Sequence, residues 1–273
     1  MRTITFCSFK GGTAKTSTTL HIGACLAKKH KKKVLLVDFD SQANLSTGLG
    51  LGQDNLKTMV PVLQGEESIR DVIQETHIKN LSIIPANAYL DGIEKTPQVG
   101  ADLYAHERLR RALKTVEEDY DFCFIDTPPS LSWLTQSAFF ASQFTIICAI
   151  PEAYSVLALR RLKDFLASFK QYHEIDVLGL IFSFWDERGA VNKAFLEEIT
   201  NSFPDKLFSS RIRRDVAVSR AVLQGKPVFE TDPDCRASED YKLVTAEFLK
   251  RLENGSSSQK IKHLLNEQTK AGV

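Results

Sequence analysis

Cys7-Ser8-Phe9-Lys10-Gly11-Gly12-Thr13-Ala14-Lys15-Thr16-Ser17-Thr18-Thr19 is the stretch on which the reading of this chain turns. An apolar, β-prone run with Ile4 and Phe6 leads into it, and Leu20, Ile22, Ala24, Leu26 and Ala27 leave it in a helical pattern. A strand, a glycine loop and a helix in that order suit a polyphosphate. Backbone N–H groups of the loop and of the helix start can point at phosphate oxygens, and the helix dipole adds positive charge there. Lys15 is placed to reach the β- and γ-phosphates, and Thr16 to offer its hydroxyl to Mg²⁺. The full G-x-x-x-x-G-K-[ST] pattern is not met, because Phe9 and Ala14 stand where glycines would be. A glycine-rich β–α turn with incidental lysines is the plain alternative, so the rest of the chain must supply the acids.

It supplies them at two strand ends. Val34-Leu35-Leu36-Val37-Asp38 is a continuous apolar run of the buried parallel type, continuing into Phe39-Asp40. Phe122-Cys123-Phe124-Ile125-Asp126 is a second, followed by Thr127-Pro128-Pro129-Ser130. Acids at the carboxyl ends of such strands lie where open α/β sheets bind ligands. Asp126 is placed to hold Mg²⁺ through water while Thr16 holds it directly. The two prolines stiffen the segment after it, since each fixes φ and removes a donor.

Composition bounds the rest. With 273 residues, 43% apolar and 25% charged, the chain is long enough for one large α/β domain. Strand-like and helical runs alternate almost throughout, which predicts a P-loop NTPase-like, mostly parallel sheet with helices on both faces. A net charge of +1 leaves room only for a local nucleic-acid surface. The five cysteines form no C-x-x-C pair, so zinc, iron–sulfur and disulfide frameworks are not expected. No signal-peptide core and no run of membrane-spanning length is read, so the expected address is cytoplasmic.

The quoted motifs resemble those of the ParA/MinD ATPases, and most closely the ParA/Soj-type partitioning ATPases. The deviant Walker A loop of that family is K-G-G-x-G-K-[ST]. Here Lys10-Gly11-Gly12-Thr13-Ala14-Lys15-Thr16 matches it except at Ala14. Asp38-x-Asp40-Ser41-Gln42-x-Asn44 is similar to the D-x-D-P-Q-x-N switch, with Ser41 for proline, and Asp126-Thr127-Pro128-Pro129 to the second switch. The resemblance runs from Arg2 to about Leu252. It implies ATP and Mg²⁺ as ligands held by Lys10, Gly11, Gly12, Thr13, Ala14, Lys15, Thr16 and Ser17. It also implies that Asp40 positions the attacking water, and that Lys10 reaches across a face-to-face homodimer to the other subunit's phosphates.

Toward the C-terminus the resemblance implies base contacts by Ser183, Phe184 and Arg213, the last standing for the proline of an I-P-R-N turn. It further implies sequence-independent binding of double-stranded DNA by Arg211, Arg213, Arg214, Arg220, Lys226 and Arg236, nucleoid association, and hydrolysis stimulated by a ParB-like partner. The plain reading of that basic segment is a solvated face or internal ion pairs with neighbours such as Glu239. The Lys28–Lys33 cluster is read as a solvated helix end, and residues 88–101 as irregular.

Residues 1–252 are thus expected to be one ATPase domain with its DNA-binding surface in the C-terminal third. Residues 253–273 are expected to be a flexible linker and short tail, not a membrane anchor. A MinD-like membrane-cycling ATPase is the alternative function. A P-loop metabolic enzyme and a non-hydrolysing scaffold are more distant ones.

Overall fold

The computed structural model describes residues 1–52, 57–186 and 190–270. Strands β1 (Arg2–Cys7), β2 (Val34–Asp38), β3 (Gln74–Glu75), β4 (Leu81–Ile84), β5 (Phe122–Asp126), β6 (Phe144–Ala149), β7 (Asp176–Trp185) and β8 (Ile212–Arg213) form one sheet in the order β3-β4-β2-β5-β1-β6-β7-β8. Every pairing is parallel except that of β3 with β4. Helices α1 (Lys15–His30), α2 (Asn44–Gly48), α3 (Met59–Gln64), α4 (Ile69–Val72), α5 (Pro97–Gly100) and α6 (Arg108–Lys114) precede β5. Helices α7 (Trp133–Phe140), α8 (Ala153–Phe169), α9 (Ala190–Ser202), α10 (Val216–Leu223), α11 (Val228–Thr231) and α12 (Arg236–Lys270) follow it. The expected α/β architecture is therefore the observed one.

The strands have no polar face because both sides of the sheet are covered. Successive side chains of a strand point to opposite faces. Val34 and Leu36 of β2, with Phe122 and Phe124 of β5, join the layer under α1 and α12. Leu35 and Val37, with Cys123 and Ile125, join the layer under α3 to α7. Phe124 meets Phe6 in a tilted pair at 5.0 Å and Phe248 of α12 edge-on at 5.4 Å. Such ring pairs add about 1 kcal/mol each beyond their buried area.

Register carries the two strand-end acids to one level: Asp38 lies opposite Asp126, and Asp126 opposite Phe6, one residue before β1 ends. The glycine loop that follows β1 opens at the height of both carboxylates.

Two segments differ from expectation. Residues 88–101 hold 3-10 turns at Ala88–Leu90 and Ile93–Lys95 and the short α5, because Leu90, Ile93 and Val99 are buried. Asn254-Gly255-Ser256-Ser257-Ser258, expected as a linker, lies within α12. A glycine inside a helix costs only about 1 kcal/mol, and the residues on both sides of the stretch are mostly good helix formers.

Helix α1 is tied to the C-terminal third through His21, which is fully buried. Its Nδ1 donates to the Ser17 carbonyl (2.6 Å) and its Nε2 accepts from the Val228 N–H (2.9 Å), with the ring stacked on Tyr241 at 4.2 Å. The bond from Val228 needs an unprotonated Nε2 and hence the neutral ring, and burial pushes its pKa down to about 4 against the Ser17 bond, which favours the charged form. The unfolded chain therefore binds this proton from about pH 6.5 downward while the folded one refuses it until about pH 4. The stability that His21 contributes is complete above pH 6.5 and is lost as pH falls through that window. Relative to His21→Phe, the wild-type chain should lose about 3 kcal/mol of its advantage between pH 7 and pH 4. Urea unfolding of both at the two pH values checks this; a gap that does not change with pH removes the neutral-imidazole account.

Candidate nucleotide site and basic surface

The loop after β1 turns twice through left-handed backbone, at Gly12 (φ 75°) and Ala14 (φ 57°). Ala14 is also the N-cap of α1, and no side chain caps that helix start. Among the described residues no backbone carbonyl accepts from the N–H groups of residues 11–17. The loop's donors and the positive end of the helix dipole are thus left without a backbone acceptor.

Beneath them lies Asp126, fully buried. One carboxylate oxygen accepts from Lys15 Nζ (2.7 Å), the other from Thr16 Oγ1 (2.6 Å), and Thr19 Oγ1 stands 3.4 Å from the first. Burial alone would lower the Lys15 pKa. The Asp126 charge and hydrogen bond, with Asp40 adding, outweigh it and hold the ammonium above its ordinary value. Asp38, beside Asp126, accepts from Ser46 N (2.8 Å) and Ser46 Oγ (2.7 Å). Its pKa is pushed up to about 7 by burial first and by Asp126 second, with the Ser46 bonds opposing. Asp38 therefore serves to hold α2 against the sheet. Asp40 stands free of that duty and lines the hollow, its carboxylate accepting from Gln42 N (3.1 Å).

The hollow, ≈ 400 Å³, is walled by the whole 10–17 loop, Asp40, Gln42, Asn44, Thr47, Pro129 and Val222. It brings together Lys10, Gly11, Gly12, Thr13, Ala14, Lys15, Thr16, Ser17 and Asp40. Val222 comes from α10, more than 200 residues after the loop, and no local signal marks it. It reaches the hollow because the turn after α10 packs on the turn after α2. Both turns are left-handed, and a Cβ on Gly225 would stand 2.5 Å from the Gly50 Cα. Lys10 also pairs with Glu152 at the start of α8, a partner the sequence did not reveal.

A second cleft, ≈ 870 Å³, shares Gly12 with the first and opens between the start of α8, the end of β7 and β8. Phe184 and Arg213 line it, with Trp185, Asp186, Arg214 and Arg236. Phe184 takes left-handed backbone (φ 55°) that turns its ring outward, 44% exposed. Ser183 does not line this cleft; its hydroxyl is buried and has no hydrogen-bond partner among the described residues.

The six arginines and lysines singled out in the C-terminal third separate into two groups. Arg213 is gripped by buried Asp240, which accepts from its Nη2 (2.6 Å), its Nε (3.0 Å) and its backbone N (2.9 Å). Arg211 lies over the Trp185 ring at 4.1 Å, and Arg220 pairs with Asp232 at 3.6 Å. Arg214, Lys226 and Arg236 are exposed, and none is in a salt bridge among the described residues. Asp215 starts both flanking helices, accepting from Ala217 N (3.0 Å) and Ala237 N (3.3 Å), which brings Arg214 and Arg236 side by side.

Residues 1–177 match a family described as an AAA domain. A ParA family protein of Chlamydia trachomatis is 52% identical over 254 residues, covering 93% of this chain and 100% of that protein. The sporulation initiation inhibitor protein Soj of Bacillus subtilis is 35% identical over 237 residues, covering 85% of this chain and 92% of that protein. Among solved structures, the septum site-determining protein MinD of Pyrococcus horikoshii, complexed with Mg-ADP, superposes with a TM-score of 0.74 at 26% identity. That likeness covers 90% of this chain and 95% of that one.

Left-handed backbone at Ala14 costs an L-residue about 1–2 kcal/mol, and glycine avoids that cost while losing some unfolded-state entropy. Ala14→Gly should therefore raise stability by about 1 kcal/mol and the Tm by about 3 °C. Thermal unfolding of the two proteins checks it; a lower Tm in the variant would mean that Ala14 is not strained in solution.

Proposed function

The chain belongs to the ParA family, and on that footing we propose that it is a Mg²⁺-dependent ATPase that partitions DNA. The observation that carries this is the convergence of Lys15, Thr16 and Asp126 under the 10–17 loop, with Asp40 on the same hollow. That donor set suits polyphosphate and magnesium. Mg²⁺ is bound through one or two protein oxygens plus phosphate oxygens rather than by a dedicated cage, so Thr16 and Asp126 suffice as its protein ligands. When bound, the ion neutralises charge that builds on the transferred phosphoryl group.

Lys15 then exchanges Asp126 for phosphate, the loop amides hold the chain of oxygens, and Asp40 orients the attacking water. Phe184 offers its outward ring to the base, with Arg213 fixed beside it by Asp240. Lys10 leaves Glu152 to meet the nucleotide of a second subunit, closing an ATP-dependent homodimer. Arg214, Lys226 and Arg236 supply phosphate contacts to DNA without reading its sequence. A ParB-like partner stimulates turnover, and the working location is the nucleoid. The MinD-like membrane-cycling alternative draws on a 26% identical neighbour, whereas the 52% and 35% identical relatives bear ParA and Soj names. Among the described residues no helix is long and apolar enough to cross a membrane.

Lys15→Ala should abolish measurable ATP binding in equilibrium titration, and unaltered affinity would remove the loop from its role. Asp40→Ala should bind ATP yet reduce steady-state hydrolysis at least ~100-fold, as for loss of a water-orienting group; turnover at the wild-type rate would contradict the assignment.

Arg214→Glu should weaken binding of unrelated duplexes alike and flatten the log–log salt dependence by about one unit or more. An effect confined to one duplex sequence would refute the patch. Co-sedimentation with liposomes but not with DNA would favour the membrane alternative.

A further inference from the structure

Ala14 keeps a left-handed turn that an L-residue takes only at a cost, so neighbouring groups must hold it there. Its carbonyl accepts twice from Thr18, from the backbone N and from Oγ1, both at 2.8 Å. Thr18 is fully buried, and it is also the side-chain hydrogen-bond partner of the Tyr241 hydroxyl on α12 and of the Cys148 thiol on β6. A hydroxyl has one proton and two lone pairs. The Thr18 proton goes to Ala14, so Tyr241 and Cys148 are the donors to Thr18. Burial pushes the pKa of both groups well up, which keeps their protons in place. The Tyr241 ring is itself buried and stacked face to face on His21 at 4.2 Å.

From this run of hydrogen bonds, and resting on the polyphosphate reading of the loop proposed above, we infer that Tyr241 is a positioning residue of the nucleotide site. Through Thr18 it holds the Ala14 carbonyl, and so aims the Lys15 amide at the phosphates. The carbonyl of Ala14 and the N–H of Lys15 belong to one planar trans peptide, in which they point opposite ways. Anchoring the carbonyl down the helix therefore turns the N–H off the helix start, where no backbone carbonyl of the described residues accepts from it. Rotating Ala14 out of the left-handed region would swing that peptide, freeing the carbonyl from Thr18 and taking the amide off its aim. A glycine at position 14 would need no such brace, because left-handed backbone costs it little. The brace is thus tied to the alanine of this chain, and it comes from a helix more than 200 residues beyond the loop.

The test is a double-variant cycle, read by equilibrium titration of the full chain with a fluorescent ADP and Mg²⁺. Tyr241→Phe removes the hydroxyl and keeps the ring on His21. It should weaken binding about fivefold, the worth of one hydrogen bond, because a smaller share of the loop is in the binding conformation. Added to Ala14→Gly, the same substitution should change the affinity by less than about twofold. Thr18→Val cuts the relay from its other side and should weaken binding at least as much. Adding Tyr241→Phe to Thr18→Val should then change little. Thermal unfolding followed by circular dichroism sets a titration temperature at which every variant is folded.

If Tyr241→Phe weakens binding equally with and without Ala14→Gly, the hydroxyl serves only the packing of α12 and the inference is overturned. A second full loss when Tyr241→Phe is added to Thr18→Val overturns it as well, since the two would then act separately. Unchanged affinity in Tyr241→Phe alone sinks the inference and leaves the polyphosphate reading standing. Failure of the wild-type chain to bind ADP overturns the inference together with that reading.

Discussion

A buried carboxylate neutralises a buried ammonium at the centre of this molecule, and the nucleotide hollow is built over that pair. Asp126 and Lys15 are 0% and 6% exposed, and their contact is 2.7 Å. Neither charge is tolerable there alone: removing one partner of such a pair leaves an uncompensated charge, at a cost of about 3–5 kcal/mol. The pair survives burial because Thr16 and Thr19 complete the hydrogen bonding of the carboxylate. It also joins the first turn of α1 to the end of β5, the two elements whose spacing sets the shape of the hollow. Asp38, one strand away, meets the same desolvation without a cation. It is held at a pKa of about 7 and is put to structural use against Ser46.

Outward from that pair, the C-terminal third is fastened to the nucleotide end by contacts that leave little room for independent movement. His21 bridges Ser17 at the start of α1 to Val228 of α11. Gly225 lies so close to Gly50 that a Cβ on Gly225 would stand 2.5 Å from the Gly50 Cα. Asp240 clamps Arg213 at the wall of the second cleft. Arg214 and Arg236 of the basic surface are therefore part of the wall of the second cleft, and not an appendage to it. Several of its charges are already engaged: Arg213 with buried Asp240, and Arg220 with Asp232 in a solvent-exposed pair that holds it only weakly.

The sheet and its ligand end were legible from sequence for one reason. Strands buried on both faces read as unbroken apolar runs, and the acids that end them mark the carboxyl edge where the phosphate loop opens. Lys15, Thr16, Asp40 and Asp126 could be picked out because each stands at such an edge. The irregular appearance of residues 88–101 misled, since isolated Leu90, Ile93 and Val99 have no period and are recruited one at a time by the layer they cover. Asn254-Gly255-Ser256-Ser257-Ser258 misled in the opposite sense: local composition spoke for a break, and a long helix absorbed it.

The sequence by itself determined the order of strand, loop and helix, the family, and which four side chains gather beneath the loop after β1, because those are set by local pattern and strand ends. Only the tertiary structure decided that Lys10 rests on Glu152, that Ser183 faces inward while Phe184 faces out, and that Val222 and His21 belong to the site's frame. It likewise decided which arginines remain open to a ligand. Those outcomes depend on partners 27 to more than 200 residues distant, and no local periodicity encodes which distant carboxylate will meet which guanidinium.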